Sequence, residues 1–234
     1  MLFIQHELQR TAQNLVADNI KNGEHVLVVS SSDQSKELID AIVTAASSTG
    51  AASVSAIIIA CPENLRDYKH PPAVIASVES ADLTIVATSL RFPRAYDDLS
   101  EALFKAGKRQ VLINNAPLED FTRGASLADP IKLNRRTHAL AAKISKGKIV
   151  RVTSGNGTDL SVRVSRPCIA LTGRAELDTG FGSFPSGEAM LSPEERTAEG
   201  TFVADSFGQV VYLNGSGPQL GSLEDPISLK FEKG

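Results

Sequence analysis

The side chains able to do acid–base or metal chemistry concentrate in one stretch, residues 184–200, which carries Glu188, Glu194, Glu195 and Glu199. Pro185, Gly187 and Pro193 interrupt any regular helix or central strand there, so the stretch reads as a shaped loop. Gly187 lets the backbone bend beside Glu188, and the strand-like run Thr201–Asp205 anchors the loop's end. Loops held on rigid elements carry function disproportionately. Exposed carboxylates are also the norm on any protein surface.

Other chemistry-bearing residues are scattered. His6, His25, His70 and His138 fall on helix, strand, loop and helix, with no His-Glu-x-x-His or comparable pair, and read as structural or surface histidines. Cys61 and Cys168 have no second Cys or His at ligand spacing, which excludes a cysteine metal site and leaves two isolated thiols. Ser30-Ser31-Ser32-Asp33 follows a strand and precedes a helix, a place where backbone amides favour anions. No Gly-x-Gly-x-x-Gly or Walker A pattern accompanies it, and Asp33 would repel a phosphate, so helix capping explains it better. Arg91, just beyond the third strand, reads as an ordinary surface charge.

The elements that position these residues must come from a chain of 234 residues with 42% apolar and 22% charged content. That length suits two small domains, and that composition supports a core. A net charge of −3, three Tyr and no Trp argue against a nucleic-acid partner. The start of the chain does not read as a secretory signal, and the longest apolar run is far shorter than a membrane span. The expectation is a soluble, cytoplasmic protein.

In the first half, helices over residues 3–20, 34–49 and 94–106, with a short one around Val74–Val78, alternate with strands at 25–30, 54–60, 83–88 and 110–114. The strands are apolar on both faces, and the helices carry one apolar stripe, with Phe104 of the third expected to face inward. A further helix opens at Asp129-Pro130 and runs to about Ser145, with Ile131, Leu140 and Ile144 on its apolar side. After residue 147 the periodicity changes to alternation of apolar and polar residues, in Ile149–Thr153 and Leu160–Val164, with Gly155-Asn156-Gly157 as a hairpin turn. Strands at 201–204, 209–213 and 227–231 follow, with Asn214–Pro218 as a Gly-rich connection. The predicted fold is α/β: residues 1–147 form a Rossmann-like, doubly wound and mostly parallel sheet domain, and residues 148–234 a smaller, mainly antiparallel β region.

Asn156-Gly157-Thr158-Asp159-Leu160, then Phe184-Pro-Ser-Gly-Glu188 with Pro193, then Ala198-Glu199-Gly200-Thr201, in that order, resemble the aminopeptidase T family of metallopeptidases. Ala81-Asp82, Arg123-Gly124 and the Asn134–Leu140 segment add to the likeness, which covers most of the chain. The resemblance implies a metal-dependent exopeptidase, usually dimeric, in which carboxylate and imidazole ligands hold two divalent ions, commonly zinc, cobalt or manganese. Glu188 matches the family's first metal-binding Glu, and a carboxylate there has the right chemistry to ligate such an ion. Ala189-Met190-Leu191 departs from the family's Val-Phe-Thr. The family's remaining Glu, His and Asp ligands lie beyond the position of Phe231–Gly234, which implies an incomplete ligand set here.

Three readings follow. The first is the amino-terminal part of a metalloaminopeptidase-like protein, acting on a peptide or other small-molecule substrate and forming a homodimer. The second, from the same superfamily, is a relative of iron-dependent dihydroxypyridine ring-cleaving dioxygenases, whose similar loop has an apolar residue where Glu188 stands. Glu188 therefore favours the peptidase. The third is a non-catalytic binding or assembly module. Residues 169–183 and 214–221 lack a core-forming pattern, and the expectation there is self-association or mobile loops.

Overall fold

A computed structural model describes residues 2–61, 68–88, 98–113, 117–176, 180–212 and 215–234. Its helices are α1 (Leu2–Ala17), α2 (Lys36–Ser47), α3 (Pro72–Ser80), α4 (Asp98–Lys105) and α5 (Pro130–Ile144). The first strands are β1 (His25–Ser31), β2 (Ser53–Ile59), β3 (Leu83–Ala87), β4 (Arg109–Leu112), β5 (Ile149–Thr153), β6 (Asp159–Arg163) and β7 (Ile169–Leu171). The later ones are β8 (Phe181–Ser183), β9 (Glu188–Met190), β10 (Glu199–Ala204), β11 (Phe207–Tyr212), β12 (Gly215–Ser222) and β13 (Ile227–Phe231).

By compactness the chain forms two units. One comprises Met1–Asn134, Leu171–Gly187 and Leu213–Gly215, and the other Arg135–Ala170, Glu188–Tyr212 and Ser216–Gly234. Where the sequence pattern suggests one cut near residue 147, the units interleave, because residues 171–187 return to the first.

The first unit holds a five-stranded parallel sheet in the order β2-β1-β3-β4-β8. β1 and β3 occupy its middle because their apolar side chains can be buried on both faces. On one face Leu15 and Val16 of α1 and Leu38 and Ile42 of α2 pack with Val28 and Ile85. On the other, Val74 and Val78 of α3 and Leu99 and Leu103 of α4 pack with Val29 and Val86. Alternate residues of the strands thus feed two separate cores, as a doubly wound α/β sheet requires. Ser35 caps α2, its hydroxyl accepting from the Leu38 amide at 3.3 Å.

Several expectations need correction. β2 is an edge strand with most of its residues exposed or half-buried, so its apolar run does not mark a central position. Phe104 is 82% exposed, because α4 turns Leu99, Ala102 and Leu103 inward instead. Along α5, Ile131 and Leu140 are exposed while Thr137 and Ala141 are buried, so the helix buries small residues rather than its apolar stripe. The start of α5 is as expected: Asp129 Oδ1 accepts from the Ile131 and Lys132 amides at 3.0 and 3.1 Å. Residues 94–97 and Asn114, assigned to a helix and a strand from sequence, lie outside the described residues.

The second unit is built on an antiparallel sheet in the order β13-β10-β6-β5, with the β5–β6 hairpin turning where Asn156-Gly157 stands. β11 pairs with β12, and β7 with β9, in two-stranded ribbons. β12 occupies most of the stretch read from sequence as a Gly-rich connection, so backbone pairing prevails there over weak strand propensity. Among the described residues no helix is long and apolar enough to cross a membrane. Neither Cys61 nor Cys168 is in a disulfide.

Candidate functional site

The loop that carries Glu188 is held from several sides before that residue is reached. The Phe184 amide donates to Leu112 O at 2.8 Å, and the Phe184 ring lies 5.5 Å from that of Phe121. Ser186 Oγ donates to Leu171 O at 2.9 Å, and the Gly187 amide donates to the same carbonyl at 3.3 Å. Gly187 has φ of 125°, a conformation open to glycine and strained for other residues. A Cβ built there would fall 2.7 Å from Leu133 Cδ1. Glu188 follows Gly187 and opens β9 with an exposed side chain.

The other acids do not converge on Glu188. Glu194 pairs with Arg163 at 3.8 Å, and its amide donates to Arg163 O at 2.9 Å. Glu195 accepts from Arg166 at 2.7 Å, and that hydrogen bond holds its carboxyl below the ordinary glutamate value. Glu199 accepts from the Lys233 amide at 2.8 Å. Asp205 accepts from Asn156 Nδ2 at 3.0 Å. Each carboxylate has a local partner that gives it a structural role.

The remaining motif residues build the sheet. Thr158 Oγ1 accepts from the Val203 amide at 3.0 Å, and Asn156 Nδ2 donates to Val203 O at 3.0 Å, so the β5–β6 turn is tied to β10. Asp159 receives two hydrogen bonds from Arg151 at 2.8 and 2.7 Å, which hold its carboxyl below the usual aspartate value. Gly200 is required by close approach: at φ of 114°, a Cβ would lie 2.1 Å from Asp159 O. The Glu-Gly and Gly-Thr-Asp motifs are thus two sides of one strand contact. Asp82, also flagged by resemblance, accepts from the His25 amide at 2.9 Å and so joins the starts of β1 and β3.

The histidines remain apart, as their sequence positions suggest. His25 meets Ser53 at 2.8 Å, His6 meets Glu7 at 3.7 Å, and His138 lies exposed on α5. His70 is buried, with Nδ1 2.7 Å from Asp98 Oδ1, a pairing that sequence reasoning missed because the partners lie 28 residues apart. Within the first unit a cleft of about 30 Å³ is lined by Leu133, Asn134, Ser126, Thr172, Arg174 and Ser186. Asn134 Nδ2 is buried with no acceptor among the described residues. That volume is room for about two waters, not for a substrate ring or a peptide.

A catalytic divalent ion needs about three protein ligands. No group of three or more His, Cys, Asp or Glu among the described residues is placed to hold one. Glu188 stands exposed, and its neighbouring acids are engaged elsewhere. The described residues therefore do not fit a metal centre.

Comparison with known proteins decides the family. A model of the NicX family, 2,5-dihydroxypyridine 5,6-dioxygenase, matches residues 7–234. The chain belongs to that dioxygenase family. The match is to the ring-cleaving dioxygenase branch rather than to the peptidase branch that Glu188 favours. The likeness to aminopeptidase T is one of fold: wild-type AmpT from Thermus thermophilus has a TM-score of 0.63 at 16% identity, covering 98% of this chain and 70% of that one. A. aeolicus Argonaute shows a TM-score of 0.33 at 17% identity, over 66% of this chain and 24% of its own, too distant to carry an argument. No curated protein sequence matches.

Proposed function

We propose that the chain serves the oxygen-dependent opening of a small hydroxylated, nitrogen-containing aromatic ring. The observation that carries this reading is the family match, which extends over residues 7–234 and so takes in strands of both units. Release of amino-terminal residues from peptides is the second reading. It is supported by the shared fold with AmpT and by the carboxylate of Glu188 in the stretch that resembles the aminopeptidase T motif. Iron for the first reaction, or zinc, cobalt or manganese for the second, would need ligands that the described residues do not assemble.

The test loads the purified chain with ferrous iron without air, then admits oxygen in the presence of 2,5-dihydroxypyridine and follows oxygen uptake and loss of the ring absorbance. Parallel samples with zinc, cobalt or manganese are assayed for release of amino-terminal leucine, with Glu188→Ala beside each. Ring opening with iron, unchanged in Glu188→Ala, would establish the first reading and would mean that the iron ligands come from outside the described residues. Leucine release abolished by the substitution would establish the second reading instead. Absence of both activities would leave a binding or assembly role and overturn the proposal.

A further inference from the structure

Between Asp129 and Asp159 the chain carries no acidic residue, although it has 27 of them in 234, and the same stretch holds seven of its 24 Lys and Arg. In a chain of net charge −3 this run concentrates positive charge in one place. Lys132 pairs with Asp129, and Arg151 with Asp159. The other five, Arg135, Arg136, Lys143, Lys146 and Lys148, belong to the second unit and are exposed. None of the five has an ion pair or a side-chain hydrogen bond among the described residues.

α5 sets most of them on one face. Thr137 and Ala141 are its buried side, and with about 3.6 residues per turn Arg135, Arg136, Ala139 and Lys143 turn away from it. Leu140, 50% exposed, follows Arg136 by four residues and precedes Lys143 by three, so an aliphatic side chain sits among the cations. Lys146 and Lys148 continue the face on backbone that is held in place. Ser145 Oγ accepts from the Cys168 amide at 2.8 Å, and the Val164 amide donates to Lys148 O at 3.0 Å.

The needs of the helix itself do not account for this pattern. Cations near a helix C-terminus complement its dipole, which covers Lys143 and Lys146. Arg135 and Arg136 lie well before the last turn, where that field has fallen off. Arg136 also stands four residues after Lys132, a spacing at which like charges repel. An anionic partner outside the chain would relieve that repulsion.

We propose that this face docks on a bilayer surface containing anionic phospholipids, with the cations against headgroup phosphates and Leu140 dipping between them. The aliphatic group among the cations, and the lack of anything to stack on or read a base, choose this occupant over a nucleic acid. No Phe, Tyr or Trp occurs between Phe121 and Phe181, and the outward side of α5 offers no Asn or Gln. Such a contact lies on the bilayer and needs no spanning helix. With about five cations and one aliphatic side chain it is mainly electrostatic, reversible and sensitive to salt.

The experiment pellets the purified chain with vesicles of phosphatidylcholine, alone or with about one third phosphatidylserine, at about 0.05 M and about 0.5 M salt. The chain should sediment with the anionic vesicles at low salt, stay in solution with the neutral ones, and be released at high salt. Each cation removed should weaken partitioning about five-fold, so Arg136→Gln with Lys143→Gln should lose about 25-fold. Leu140→Ser, which keeps every charge, should cost less and leave the salt dependence as it was. Lys230→Gln, an exposed charge on β13, should bind like the parent. All these positions are exposed, and far-UV circular dichroism verifies that each variant is folded. No sedimentation with anionic vesicles at low salt, equal sedimentation with neutral ones, or a double variant that binds like the parent would overturn the proposal. Tighter binding to a duplex oligonucleotide than to the anionic vesicles, lost in the same double variant, would assign the face to nucleic acid and overturn it as well.

Discussion

His70 Nδ1 lies 2.7 Å from Asp98 Oδ1, and the His70 amide donates to Asp98 Oδ2 at 2.9 Å, so one carboxylate holds both the ring and the backbone of the same residue. The contact ties the approach to α3 to the first turn of α4, with the Tyr68 ring edge-on to the imidazole at 5.1 Å. Burial pushes the Asp98 carboxyl up, but the hydrogen bonds from the His70 ring and amide, helped by the charges of His70 and Lys69, outweigh it and hold the group below its ordinary value. With the folded value lower than the unfolded one, the unfolded state binds the proton more readily. The stabilisation is complete above the unfolded value of about 3.9 and is lost as pH falls through the folded value. Asp98→Asn should cost about 1–3 kcal/mol near neutral pH, and the difference from the parent should shrink on acidification through that range. Urea unfolding at neutral and acid pH measures both quantities; a deficit that does not change with pH would show that the charge is not what matters.

Gly187→Ala combines two penalties that can be separated. The φ of 125° strains any side chain, and the new methyl would meet Leu133 Cδ1 at 2.7 Å. The side chain of Leu133 can shift, but the backbone conformation cannot be relieved in that way. The substitution should destabilise by about 1–3 kcal/mol. In the Leu133→Ala background its cost should fall but not vanish, as a double-mutant cycle by chemical denaturation would show. Full additivity would mean that the methyl does not meet Leu133.

The parts of this architecture legible in the sequence are those whose burial is symmetrical. β1 and β3 are apolar on both sides because they lie mid-sheet between helix layers, and the alternation in β5 and β6 marks a sheet with chemically distinct faces. β8 was not legible: Phe181-Gly-Ser183 is too short for a periodic signal, and its pairing with β4 is set by contacts more than 70 residues away. Phe104 and Leu103 are adjacent and both apolar, so only the angular placement of α4 decides which is buried. At the candidate site, the prolines and glycines announce a loop and the family likeness picks out Glu188. The partners of its acidic neighbours, Arg163 for Glu194 and Arg166 for Glu195, are brought in by folding across some thirty residues and leave no local mark.

That contrast on α4 gives a direct test. Leu103 is fully buried among Val78, Leu99 and Leu112, whereas Phe104 projects outward. Leu103→Ala should cost about 2–5 kcal/mol. Phe104→Ser should change stability by about 0.5 kcal/mol or less. Thermal or denaturant unfolding of the two variants checks the orientation of the helix, and a large loss in Phe104→Ser would mean that the helix is turned toward the expectation from its sequence.

The guanidinium of Arg109, at the start of β4, is 8% exposed and joins segments that are distant in the chain. It donates to Glu24 Oε1 at 2.6 Å and to Asn19 O at 2.8 Å. Asn19 in turn donates from Nδ2 to Leu15 O and Gly173 O at 2.8 and 2.7 Å, and accepts from the Ala175 amide at 2.7 Å. Removing the guanidinium leaves the carboxylate of Glu24 and the carbonyl of Asn19 without their donor in a largely buried setting. Arg109→Met should therefore destabilise by about 3–5 kcal/mol. Arg109→Lys should restore only part of the loss, because a point charge cannot serve both acceptors in the planar geometry of the fork. If the uncompensated Glu24 charge causes most of the damage, adding Glu24→Gln to Arg109→Met should recover stability. Equal losses in the single and double variants would assign the effect to the Asn19 contact and to lost packing. Denaturant unfolding of the three variants separates these outcomes.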